Sequence, residues 1–252
     1  MKRKTALITG GAKGIGKKIS LSLAEKGYDI AVNFHSDKAS AEEICDIAKS
    51  NGVKAKAFYA DMSKICEIKD MVNQVDKEFG KIDVLINNAG ISSEVYFLDA
   101  SEKMFDEMTA TDWKGVYFCS QFAAKKMIEH KTKGVIVNLA SNQVDGCWPR
   151  ATIYAPTKAA VAKFTKNAAM ELIPYGIRMV AIAPGYTDVG WQKGDIRLEA
   201  AKKLPMRRFA TTKEIAAGIV YLISDDAAYM TGSMLTIDGG ATLPVTAAND
   251  FE

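Results

Sequence analysis

Apolar residues in this chain gather in short, nearly unbroken runs. Most runs are followed by a longer stretch in which apolar positions return every three or four residues. The runs are "TALIT" (5–9), "DIAVNF" (29–34), "KAFYA" (56–60), "VLINN" (84–88), "GVIVNLA" (134–140), "IRMVAIAP" (177–184) and "SMLTID" (233–238), each predicted to be a strand. The helical period covers Ile15 to Lys26, about Ala39 to Asn51, Lys64 to Phe79 and about 102–129. The strand runs keep Val, Ile, Leu and Ala on both faces, as strands covered by helices above and below do. Strand–helix alternation then implies an α/β fold: a Rossmann-like, doubly wound parallel sheet of seven strands with helices on both faces. No repeat, low-complexity tract or linker-like shift divides the chain, so residues 1–252 are expected to form a single domain.

Composition removes several classes of function. A net charge of +3 with 25% charged residues gives no footprint for nucleic acid or an anionic membrane. The apolar run after the opening "KRK" ends at Gly10 and Gly11, too soon for a signal peptide. No stretch approaches the roughly 20 apolar residues of a membrane span, and a soluble, cytoplasmic protein is expected. Cys45, Cys66, Cys119 and Cys147 are widely spaced, and His35 and His130 are the only histidines. No metal site is expected, and the cysteines read as reduced and mostly buried.

"TGGAKGIG" (9–16) joins the first strand to the first helix. Gly10 suits the backbone angles of the turn, Gly14 a close approach of the chain to phosphate, and Gly16 tight packing. The N–H groups of the helix that opens at Ile15 face an anion. A dinucleotide site on the first βα turn follows. At the end of the second strand an NAD site places an acidic residue, but here Phe34 holds that position, with His35 and Ser36 after it. Lys13 can reach a 2′-phosphate, so NADP(H) is favoured. Asp37 keeps NAD(H) open.

The catalytic candidates come from "YAPTK" (154–158). Tyr154 and Lys158 are spaced to share one helix face. If the helix begins near Ile153, Pro156 falls in its first turn, where N–H groups have no intrahelical partner. A phenol that titrates near ~10 needs help to exchange protons at neutral pH, and the Lys158 charge favours its phenolate.

Taken in order, "TGGAKGIG", "NNAG" (87–90), Ser141, "YAPTK" and "APG" (183–185) resemble the compact short-chain dehydrogenase/reductase family over nearly the whole chain. The resemblance implies that Ser141 hydrogen-bonds the substrate oxygen and that Lys158 also holds the nicotinamide ribose. It places Asp61 and Met62 at the adenine, and Asn87, Ala89 and Gly90 along the adenosine ribose. Pro184 and Gly185 would flank the nicotinamide. Thr187 is put forward for the carboxamide, because the better-aligned position is Val189. One departure stands out: the family's asparagine in an Asn-x-x-Gly-Val pattern is Asp112 in "DWKGVY". A proton relay through that position is expected to persist, with Asp112→Asn keeping activity within about tenfold.

The resemblance also implies interconversion of a small-molecule secondary alcohol and a ketone, by a homotetramer. A substrate lid is expected at about 187–208, with Gln143, Trp148 and Trp191 as substrate contacts. Trp148–Pro149 and "DGGATLP" (238–244) are similar to glucose 1-dehydrogenase-like members, pointing to a sugar or polyol. A 3-oxoacyl-carrier-protein reductase, which would want a basic patch such as Lys193, Arg197, Lys202 and Lys203, and a hydroxysteroid dehydrogenase remain alternatives. So does a non-catalytic NADP(H) sensor.

Overall fold

The computed structural model describes residues 3–190, 199 and 201–243. Its first strands are β1 (Thr5–Ile8), β2 (Asp29–Phe34), β3 (Ala55–Tyr59), β4 (Val84–Asn87), β5 (Val135–Leu139) and β6 (Arg178–Pro184). After them come β7 (Thr187–Asp188), β8 (Ala210–Thr211) and β9 (Met234–Ile237). Seven of these form one parallel sheet in the order β3-β2-β1-β4-β5-β6-β9, while β7 and β8 pair separately. The expected doubly wound parallel sheet is therefore what forms. Its strand order reverses between β1 and β4, and a crevice opens beyond the carboxyl ends of the strands at such a point.

Alternate residues of each strand serve opposite faces. Ile8, Val32, Ile86 and Val137 pack on α1 (Gly14–Glu25), α2 (Lys38–Ser50) and α7 (Thr212–Ile223), through Ile19, Leu23, Ile44, Ile215 and Ile219. Leu7, Leu85 and Ile136 pack on the other side with Met71 and Val75 of α3 (Ile65–Phe79) and Met127 of α5 (Val116–Glu129). Each such buried aliphatic side chain contributes about 1.5–3 kcal/mol. These two layers hold the strand ends, and so the crevice, rigid. α6 (Tyr154–Leu172) completes the second layer.

Two expectations need correction. The predicted helix over 102–129 is interrupted: α4 (Glu102–Thr109) passes into a π turn (Ala110–Gly115) before α5 begins. Gly115 packs on the Met62 carbonyl so closely that a Cβ there would lie 2.3 Å from the oxygen. The wide turn carries Asp112 to full burial. A hydrophobic period does not register one extra residue per turn, so the π turn was invisible in the sequence. Helix α7 was not singled out, although "TTKE" carries its capping box: Thr211 and Glu214 satisfy each other's backbone N–H groups. The cysteines are not mostly buried, since Cys45 and Cys119 are buried whereas Cys66 and Cys147 are exposed; all four are free thiols. Among the described residues no helix is long and apolar enough to cross a membrane.

Candidate active site

A cleft of about 1040 Å³ opens at the strand-order reversal. Its floor is the glycine-rich turn, where Gly10 (φ 59°) and Gly14 (φ 51°) hold left-handed angles that a side chain would oppose. Gly10, Lys13, Gly14 and Ile15 line it. Gly16 does not; a Cβ there would lie 2.2 Å from the Gly10 carbonyl oxygen, so it lets the turn fold back on itself. Helix α1 starts at this turn with no side-chain cap and no acidic residue in its first turn. Its open N–H groups suit an anion such as a pyrophosphate. The residues present therefore fit a dinucleotide.

At the far end, His35, Ser36, Asp61 and Met62 line the cleft. Lys13 spans its mouth to reach Asp37 at 2.8 Å. Asp37 is also the N-cap of α2, accepting the Ser40 N–H at 2.9 Å. Lys13 first and Ser40 second hold the Asp37 carboxyl far below the usual carboxylate range. Its oxygens are already engaged, which is the geometry of a capping residue. His35 lies 3.9 Å from Asp61.

In "NNAG" the structure exchanges two neighbours. Asn87, expected at the cofactor, shares the face of Leu85 and is buried under α5. It donates at 2.8 Å to Ser120 and to Asn138, its register partner on β5. Asn88 takes the place beside the cleft, with Ala89, Gly90 and Ile91. It ties β4 to the glycine turn through the Thr9 and Gly10 carbonyls. The strand parity shared by Leu85 and Asn87 was the signal for this inversion.

Asp112 and Lys158 meet where Gly90 borders the cleft, with the Tyr154 ring beside Lys158. Pro156 falls in the first turn of α6, and the flanking bonds Ala155 N–H to Ala151 and Thr157 N–H to Ile153 survive. Lys158 is buried, its Nζ 5.4 Å from the Tyr154 ring centre. The ammonium donates to the Leu139 carbonyl at 3.4 Å and lies 3.1 Å from Asp112 Oδ2. Burial pulls the Lys158 ammonium down, but the charges of Asp112 and Tyr154 outweigh it and the net direction is up. Burial pushes the Asp112 carboxyl up, against the pull of Lys158. Ser141 is buried at the end of β5 and caps a short turn, its Oγ accepting the Gln143 N–H at 3.2 Å. That bond uses a lone pair and leaves the hydroxyl proton free to donate.

Around them, Gln143 Oε1 is buried without a hydrogen-bond partner. Trp148 meets Tyr186 edge-on at 6.5 Å, and Tyr186 stacks on Phe209 at 5.4 Å, so the indole packs against the segment that follows β6. Trp191, Lys193 and Arg197 lie outside the described residues. Lys202 is paired with Glu199. Pro184 closes β6, and Gly185 packs on Asp238. The Thr187 hydroxyl donates to the Gly185 carbonyl at 3.0 Å, and Val189 lines the cleft against Gly14. Val189, Asn88, Asn33, Lys64 and Lys114 also line the cleft without having been anticipated there as cofactor contacts. Val189 had a signal in its place in the aligned motif, and Asn88 in the strand parity of Leu85 and Asn87.

A family model described as enoyl-(acyl carrier protein) reductase matches residues 10–242. The 3-oxoacyl-[acyl-carrier-protein] reductase FabG of Staphylococcus epidermidis is 37% identical over 240 residues, covering 94% of this chain and 98% of that protein. Glucose 1-dehydrogenase 2 of Bacillus subtilis is 34% identical over 252 residues, with 95% of each covered. The crystal structure of acetoin dehydrogenase YohF from Salmonella typhimurium superposes with a TM-score of 0.91 at 33% identity, covering 97% of this chain and 98% of that one.

Proposed function

The chain belongs to the short-chain dehydrogenase/reductase family, NAD(P)-dependent enzymes acting on CH–OH and keto groups, and we propose that it interconverts a small secondary alcohol and its ketone with NADP(H) preferred. The observation that carries this reading is the buried Lys158 ammonium 5.4 Å from the Tyr154 ring. Beside that positive charge, Tyr154 takes the alcohol proton in oxidation and returns it to the carbonyl oxygen in reduction. Ser141 directs its free hydroxyl proton to the same oxygen. The nicotinamide, when bound, supplies or accepts the hydride. Gly10, Lys13, Gly14, Ile15 and the open end of α1 would hold the pyrophosphate, with Asp61 and Met62 at the adenine and Ala89 and Gly90 at the ribose.

NADP(H) is favoured because Lys13 and Ser36 offer donors to a 2′-phosphate, while Asp37 is occupied as a helix cap. NAD(H) is the alternative if Asp37 turns to the ribose. For the substrate, the unpartnered Gln143 Oε1 beside Ser141 favours a hydroxylated molecule such as a sugar, a polyol or a hydroxyketone. A second reading, reduction of a 3-oxoacyl thioester, draws on Phe97 and Leu98. They are exposed close to the bridge between Val95 and Ala151 and would suit an acyl chain. Of the lid expected at about 187–208 on a single domain, residues 191–198 and 200 lie outside the described residues, and Met206 of the described part packs on Gly239.

We further propose a cytoplasmic homotetramer. Tyr117 on α5, and Met170, Ile173 and Tyr175 at the end of α6, expose apolar surface that subunit contacts would cover. Sedimentation as monomers at micromolar concentration would contradict this.

The test is nicotinamide absorbance with NADP⁺ and NAD⁺ in parallel, against sugars, polyols, acetoin and a 3-oxoacyl thioester in the matching direction. NADP-dependent turnover of a hydroxylated substrate is expected. Turnover of the thioester alone would favour the second reading. Tight cofactor binding with no turnover would mark a sensor instead.

A further inference from the structure

Asp112 does more than occupy a position in the π turn. Its Oδ1 accepts the Ile91 N–H at 2.8 Å, a bond that an asparagine would make equally well. Its Oδ2 is different. It lies 3.1 Å from Lys158 Nζ, with both side chains buried and no directed hydrogen bond to that oxygen. Gly90 makes room for the pair: a Cβ there would come within 3.1 Å of Asp112 Oδ2 and 3.3 Å of Lys158 Nζ.

We propose that the Asp112 carboxylate is a positioning residue that holds the Lys158 ammonium and offsets its charge, so that Lys158 assists proton transfer by Tyr154 less than it would beside an amide. This rests on the reading of Tyr154 as the proton-transfer residue. The charges around the pair support it. α6 contributes Lys158 and, near its ammonium, Tyr154. β5 offers the Leu139 carbonyl, and the loop after β4 offers the Ile91 N–H. Asp106 and Glu107 on α4, and Lys114 on the π turn, are exposed, and α5 carries no charged residue before Lys125. The carboxylate is thus the negative charge that Lys158 meets in the interior. A negative charge near a phenol disfavours its phenolate, and a lysine pulled toward a carboxylate stabilises that phenolate less.

The experiment compares pH profiles of kcat/KM for alcohol oxidation in the wild-type enzyme and Asp112→Asn, with Asp112→Ala and Tyr154→Phe alongside. Asn keeps the acceptor for Ile91, whereas Ala removes it. The rising limb of the Asp112→Asn profile is expected to move to lower pH by about one unit, making oxidation up to roughly tenfold faster below that limb. A limb that stays in place in Asp112→Asn, while Asp112→Ala loses activity, would reduce Asp112 to a structural acceptor and overturn the proposal. Retained activity in Tyr154→Phe would overturn the assignment of Tyr154 itself, a separate failure.

Discussion

A salt bridge of 2.8 Å joins Lys13, in the glycine-rich turn, to Asp37, the residue that caps α2. Lys13 also lines the cleft, so under the proposed NADP(H) preference the Asp37 carboxylate and a 2′-phosphate would compete for one ammonium. Lys13→Ala should raise the KM for NADP⁺ relative to NAD⁺ by about tenfold, the loss of one partly exposed charge-assisted contact. Asp37→Asn still caps Ser40 but releases Lys13, and should lower the KM for NADP⁺ by about threefold. Steady-state kinetics with both dinucleotides decides; equal effects on the two would remove Lys13 from phosphate recognition.

Tyr154→Phe keeps the ring beside Lys158 and removes only the proton that is transferred. The expected fall in kcat is roughly 10²–10⁴-fold, the usual worth of a positioned acid or base. Circular dichroism should show the fold intact. A loss below tenfold would move the proton-transfer role elsewhere.

The buried pair makes a stability prediction independent of turnover. Lys158→Met strands the Asp112 charge and should destabilise the fold by roughly 3–5 kcal/mol. Adding Asp112→Asn should recover part of that loss, a coupling that a double-mutant cycle in urea would read. Additive effects would mean that the two groups do not interact.

Gly90→Ala tests the space the pair requires. The new methyl would meet Asp112 and Lys158 at 3.1 and 3.3 Å. Crowding of this kind costs about 1–3 kcal/mol, so kcat/KM should fall about tenfold. An unaffected enzyme would show that the pair shifts freely.

Glu214 supplies a pH dependence of stability. Arg208 first, then the Thr211 backbone and hydroxyl, lower its carboxyl from 4.5 to about 2 in the folded protein. A carboxyl lowered on folding stabilises fully above its unfolded value and loses that contribution as pH falls through the folded one. The pair is exposed, so screening keeps the effect small. Glu214→Gln should therefore melt about 1–3 °C below wild type at pH 7, the gap closing as pH falls from 4.5 toward 2. A constant gap would assign the effect to packing.

Much of this molecule was settled by residues close together in the chain. Strand runs such as 29–34 and 177–184 declared themselves because both faces of each strand are apolar. Gly10 and Gly14 did so because their turn needs positive φ, and Pro156 because only the first turn of a helix tolerates a missing N–H. These are local constraints, and local sequence carries them. Packing between distant segments decided the rest. Gly115 pressed on the Met62 carbonyl accompanies the π turn that buries Asp112. Lys13 was drawn to Asp37, and Lys158 to a carboxylate many turns away in sequence. Such pairings depend on which side chains the folded layers bring within a few ångströms, a distance that no period or motif along the chain encodes.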